Sequence, residues 1–192
     1  MAEEIAPSPV HLSPEMQELR YQAAMAVRSK LLPGELDTPE KALVAMQMGR
    51  ELGLSPMYAA RQIYVVKGKP TCSSELMANL IYRRHGDNAL RMTEWTAERV
   101  TVRYKRKGWD SFEEFTYTMD DAKRAGLTNN PSWSKFPHAM LRARAISTVA
   151  RAAFPDCIGG MYTPDELGGD IEVDPDTNEI HPAWEQTLIP VQ

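Results

Sequence analysis

Cysteine is scarce. Cys72 and Cys157 are the two in 192 residues, and no CxxC pair occurs. A disulfide framework is therefore not what holds this chain together, and a reducing cytosol is the compartment that fits. His11, His85, His138 and His181 are scattered without metal-ligand spacing, which argues against a zinc site. No apolar run reaches the ~18 residues of a membrane span. The opening MAEEIAPSPVHLS has neither a basic start nor an apolar core, so no signal peptide is expected. The chain lacks GxxxxGK[ST], GxGxxG and GxSxG, so no motif marks a nucleotide cradle or a nucleophile elbow. From Asp165 to Gln192 there is no lysine or arginine, against eight acids.

That last absence reshapes the charge. The formal net charge of −4 splits into +4 over the first 164 residues and an acidic end. Between Arg61 and Arg151 stand 17 bases and 9 acids. A basic middle with an acidic end suits a polyanion-binding body and a tail that competes with the ligand. With 43% hydrophobic residues the chain can bury a sizeable core, and its length fits one domain. The expected division is a disordered Pro-rich stretch 1–13, a single domain 14–167, and a flexible acidic tail 168–192.

The periodicity predicts helices over Pro14–Lys30, over Thr38–Gly53 with Thr38 as cap and Pro39 behind it, and over Met57–Gln62. The texture then turns β-branched and aromatic. Ile63–Val66, the turn Lys67-Gly68-Lys69-Pro70 and Thr71–Cys72 read as a hairpin with a basic tip. Ser73 or Ser74 caps a helix that ends in Arg83, Arg84, His85 and Gly86. Three strands follow, Ala89–Trp95, Arg99–Lys105 and Phe112–Thr118. In the second, Val100, Val102 and Tyr104 alternate with Arg99, Thr101, Arg103 and Lys105, which predicts an antiparallel meander with one basic face. Thr118 and Asp121 form a capping box on a short helix. Asp165-Glu166-Leu167 can make one helical turn, and beyond it no core pattern is legible.

The stretch Trp133–Phe154 reads as the longest helix. Pro137 is tolerated near its start, and Pro155 stops it. Leu141, Ala145, Val149, Ile146, Ala139, Ala143, Ala152 and Ala153 form a broad apolar arc, with Arg144, Ser147 and Arg151 opposite. Arg142 projects from the middle of the apolar arc. It either meets a carboxylate inside or lines a groove where an anion binds.

Two kinds of chemistry compete. Glu94, Glu98, Asp110, Glu113, Glu114, Asp120 and Asp121 supply acids that a metal-dependent nuclease would want at a strand pair, although a helix cap and a solvated strand account for them too. A scaffold whose basic face binds an acidic protein is another option. The denser signal is basic residues interleaved with Tyr64, Tyr82, Trp95, Trp109 and Trp133. A cationic groove with aromatic platforms is how proteins hold single strands without reading sequence. Aromatics in strands are more often core, so one or two of these five should touch bases.

The order of segments resembles a known family. Gly53-Leu54-Ser55-Pro56, IYVVKGKPTCSSELMANLIYRRHG, the meander, KFPHAMLRARAISTVARAAFP and the trailing MYTPDEL are similar to the RecT family of phage single-strand annealing proteins, akin to Red-beta. The resemblance covers about residues 42–154. It implies an α+β fold, a small antiparallel sheet (hairpin plus three-strand meander) with a long basic helix packed across it and N-terminal helices. It implies no enzyme: a cytoplasmic protein, phage- or prophage-encoded, that coats single-stranded DNA and anneals complementary strands with neither ATP nor a metal. Assembly into a ring or helical filament is implied, as is work beside a phage exonuclease or a host single-strand-binding protein, with no membrane. The candidate DNA contacts are Tyr64, Lys67, Lys69, Arg83, Arg84, Arg103, Lys105, Trp133, Lys135, Arg142, Arg144 and Arg151. Arg142 falls where relatives carry a lysine, which favours the groove reading. Ser74-Glu75-Leu76-Met77 departs from the aromatic and lysine residues that many relatives have there.

Overall fold

The computed structural model describes residues 12–168, 171–177 and 179–183. Residues 1–11 and 184–192, parts of the expected disordered start and tail, lie outside the described residues.

Three helices open the chain: α1 (Pro14–Arg28), α2 (Pro39–Glu51) and α3 (Pro56–Gln62). Each begins with proline at its first position, where the missing N–H costs nothing. Ser13 caps α1 by accepting from Met16 N–H, and Thr38 caps α2 by accepting from Lys41 N–H. α2 and α3 pack closely where Gly49 meets Ala59. A Cβ there would lie 2.0 Å from that of Ala59, so any larger residue must push the helices apart.

The hairpin β1 (Ile63–Val66) and β2 (Lys69–Cys72) follows, in register Ile63↔Cys72 to Val66↔Lys69. Its turn is Lys67-Gly68, both at positive φ, the geometry of a two-residue turn that matches strand twist. α4 (Ser74–His85) starts on Ser73, whose hydroxyl accepts from Leu76 N–H. The meander is β3 (Leu90–Trp95), β4 (Arg99–Tyr104) and β5 (Glu113–Thr118), in that spatial order, with a bulge between Met92 and Glu94. Thr118 and Asp121 form the capping box of α5 (Met119–Arg124).

The longest predicted helix is two pieces. α6 (Ser132–Lys135) ends at Phe136, and α7 (Pro137–Ala153) begins with Pro137. Phe136 sits at φ −132, ψ 57, because a residue before proline is pushed out of the helical region. α7 packs across β4 and β5 and against α4. Val100, Val102 and Leu141 are buried at that seam. α8 (Pro155–Ile158) turns the chain back, and the predicted single turn is a 3₁₀ turn, Pro164–Leu167.

The described residues of the expected flexible tail carry two strands. β6 (Ile171–Val173) and β7 (Ile180–Pro182) pair as a hairpin. Ile171, Val173 and Ile180 are buried against the core. Three apolar residues among acids are too few to register as a pattern. They hold because α6, α7 and the 3₁₀ turn offer them a surface. Asp174 closes the turn by accepting from the N–H groups of Asp176 and Thr177.

Candidate nucleic-acid interface

The two sides of α7 decide where a ligand can reach. On the side of Arg144, Ser147 and Arg151, the chain returns and closes over the helix. Glu166 sits there with its side chain 4% exposed. It accepts from Arg144 at 3.1 Å, from Ser147 at 2.9 Å, from Thr163 N–H at 3.0 Å and from Arg151. Burial raises its carboxyl; Arg151 and the Thr163 N–H more than offset that, leaving it below the usual range. Neighbouring Asp165 is pushed up by burial, with Arg144 4.0 Å away opposing the shift. Arg144 and Arg151 thus brace the fold. The polar side of the helix, opposite Arg142, is a covered one, and the candidate contacts Arg144 and Arg151 are engaged there by Glu166.

On the other side, Arg142 combines both readings left open by the pattern. Its guanidinium donates to Oε1 of Glu75, on the first turn of α4, and the two side chains are 19% and 18% exposed. The pair stands in the wall of an open cleft of about 250 Å³ between α4, the edge strand β3 and α7. Asn79 and Tyr82 of α4, Arg91 and Met92 of β3, Val102 of β4 and Ile146 of α7 are also in the lining. Met92 pairs with Val102 and Trp95 with Val100, so both point to the helix-covered side of the sheet. At the sheet edge that side is uncovered, which leaves Met92 40% and Trp95 43% exposed. Trp95 is held by its indole N–H, which donates to the His138 carbonyl at 3.0 Å, and Arg142 lies over its ring at 6.0 Å. Tyr82 donates to the Leu90 carbonyl at 3.3 Å. Burial pushes its phenol up, so it remains a donor at neutral pH.

Past Tyr82, the end of α4 joins a cationic patch. Arg84 and Arg106 share Asp156, the latter at 2.7 and 3.1 Å, and Arg83 donates to the Gly53 carbonyl at 2.7 Å. Asp156 faces two guanidiniums, Glu51 shares a cleft with Arg83 and Arg84, and Lys107 is exposed nearby.

The remaining expected contacts scatter. Tyr64 and Trp133 are 1% and 3% exposed, so neither ring offers a face to a base. Lys67 donates to the carbonyls of Leu167 and Gly168, and Lys69 lies over the Tyr162 ring. On the outer face of the meander, Arg103 faces Glu114 at 3.8 Å and Arg99 faces Glu94 at 3.7 Å. Lys105 donates to the Asp110 carbonyl. The alternation there is as read, but cross-strand acids balance the predicted basic face. Lys135 is exposed at the rim of a second cleft, formed by α6 and β6. Met92 and Arg91 were absent from the candidate contacts, and Trp95 stood among the five interleaved aromatics of which one or two were expected to touch bases. The signal for Met92 and Trp95 is subtle: apolar residues on an edge strand, on the face whose covering helix runs out.

The acids have other employment. Glu94 and Glu114 pair with arginines, Glu113 accepts from Tyr104, Asp121 caps α5 and Asp120 pairs with Lys123. Among the described residues, His85, Asp156 and Cys157 bring metal-ligating atoms within 4.8 Å of one another. Nδ1 of His85 already accepts from Lys107 N–H, and both Asp156 oxygens are taken by Arg106. Two guanidiniums beside that carboxylate disfavour a cation further.

A family model spans this geometry. The match covers residues 78–180, more than half of the 192. The chain belongs to the RecT family. Recombination and strand annealing are the business of that family, whose members are generally not enzymes. No curated protein matches the chain. Every residue lining the α4–β3–α7 groove except Glu75 falls inside the RecT match. No helix of the described residues is long and apolar enough to cross a membrane.

Proposed function

We propose that this RecT-family protein binds single-stranded DNA and anneals complementary strands without ATP, as a phage-type recombination protein in the cytoplasm of a bacterial host. The observation that carries the reading is the groove itself. Tyr82, Met92 and Arg142 line it, Trp95 stands exposed beside Arg142, and α4 ends beyond it in Arg83 and Arg84, all within the family match. Bases stack on the aromatic floor, and phosphates run toward Arg83, Arg84 and Lys107. Assembly on the strand, and a partner exonuclease or single-strand-binding protein, belong to the same reading.

Titration of a labelled oligonucleotide against salt tests it. Log affinity should fall linearly with log salt, by about 0.7 per phosphate neutralised. Binding and annealing should persist in EDTA without nucleotide. A strict need for magnesium or ATP overturns the proposal.

A further inference from the structure

A carboxylate in a groove for a polyanion needs a reason. Glu75 repels phosphate, yet it lines the cleft beside Arg142, and its Oε1 accepts from the Arg142 guanidinium. In the free protein the contact has a clear use. The two side chains are 19% and 18% exposed, so each keeps the other's charge satisfied where little water reaches. The contact is also built to come apart. Glu75 stands in the first turn of α4, behind the cap Ser73, where the positive end of the helix dipole favours an acid. Its other oxygen, Oε2, accepts from the Ser74 hydroxyl at 3.1 Å. Arg142 lies over the Trp95 ring at 6.0 Å, and an aromatic face is a resting place for a cation. Each charge therefore keeps a favourable neighbour when the two separate.

Resting on the single-strand reading above, we propose that Glu75 is a built-in competitor for Arg142, displaced by a phosphate of the bound strand. Arg142 exchanges one anion for another, so the phosphate contact is offset by the ion pair given up. A contact of this kind reads the backbone alone. It leaves the pairing edges of the bases free, as annealing requires. It also keeps the grip reversible, so that a strand can let go, shift its register against a complement and be held again. Without the competing carboxylate the same groove holds a strand more tightly and releases it more slowly.

The test is titration and stopped-flow dissociation of a labelled thymine oligonucleotide with the full chain and its variants. Glu75→Gln keeps the size of the side chain and an oxygen acceptor and removes the competing charge. It should tighten binding about fivefold, the worth of one partly exposed ion pair, mostly through slower dissociation. In an Arg142→Ala background the same change should gain little, because no cation is left to release. Unchanged or weaker binding by folded Glu75→Gln overturns the proposal. A gain that persists in full without Arg142 also overturns it, since Glu75 then acts by plain repulsion of the strand. If Glu75→Gln does not fold, Glu75→Asp decides. It suits a first helical turn and draws the carboxylate back by one methylene. Tighter binding supports the competitor, and unchanged binding refutes it. If the unaltered protein binds no strand, the single-strand reading itself fails and the competitor with it.

Discussion

α7 carries an arginine–glutamate contact on each side, and the two contacts are built differently. Glu166 is enclosed and meets two guanidiniums, a hydroxyl and a backbone N–H. Glu75 meets one guanidinium and one hydroxyl, at the mouth of a cleft. Residue type does not separate a brace from a binding site. The number of partners around each charge and the space beside it do. A saturated buried carboxylate has nothing left to offer a ligand, whereas an undersaturated pair in a cleft does.

The strongest way to break this contrast is Glu166→Ala. Removing one partner of a buried ionic cluster should cost ~3–5 kcal/mol, a fall in melting temperature on the order of 10 °C for a chain this size. Strand binding by the folded protein should hardly change. A loss below about 1 kcal/mol would mean that the cluster is not the brace described.

Trp95→Ala should invert that pattern. Trp95 is 43% exposed, so melting should shift little, while strand affinity should fall by about 1–3 kcal/mol, the worth of one stacked base. Unchanged affinity would move the strand off the β3 edge.

Arg142→Ala sharpens the contrast between base and phosphate contacts. If Arg142 meets a base, the variant should weaken binding about tenfold with little change in salt slope, and if it meets a phosphate the slope should fall by roughly 0.7. Lys135→Ala, on an exposed side chain, should reduce the slope by roughly 0.7 if it meets a phosphate. Melting curves of Arg142→Ala, run in parallel, show whether Glu75 left without its partner also lowers stability. A large stability loss with binding untouched would make Arg142 a brace like Arg144.

The smallest effect is on pH. Glu166 has a lowered carboxyl, so its contribution is full above the ordinary unfolded value of about 4.3 and is lost as pH falls through the lower folded value. Asp165 is raised, so its contribution has the opposite sign. It is present below the unfolded value of about 3.9 and lost as pH rises through the folded one. Asp165→Asn should therefore raise melting temperature slightly at pH 7, with the gain vanishing below about pH 4. Glu166→Ala should flatten the acid side of the wild-type curve. Differential scanning calorimetry from pH 3 to 8 reads both, and a destabilised Asp165→Asn at pH 7 would reverse the sign given to Asp165.

Local chemistry was legible where a few neighbouring residues settle it. Thr38, Ser73 and Thr118 cap helices in the structure as their spacing predicts, and Val100 and Val102 turn inward as their alternation requires. The site was legible in part: Arg142 stood out because a charge interrupts an apolar arc. Tyr64 and Trp133 read as stacking platforms because burial of a ring is not written in its neighbours. Met92 was passed over, and Trp95 was not told apart from the buried aromatics, because exposure at a sheet edge depends on where the covering helix ends.

By itself the sequence determined the order and kind of most elements, since caps, prolines and two-residue alternation act over a handful of bonds. It also determined the basic middle of the chain. The tertiary structure alone decided which charges are free. Glu166 lies 22 residues from Arg144, and Glu75 lies 67 from Arg142, so their pairing waits for the return of the chain over one face of α7 and the docking of α4 on another. The same packing turned Ile171, Val173 and Ile180 from an unpatterned acidic stretch into a buried hairpin. Burial is a property of the surface a residue meets, and for these residues that surface is made by segments distant in the chain.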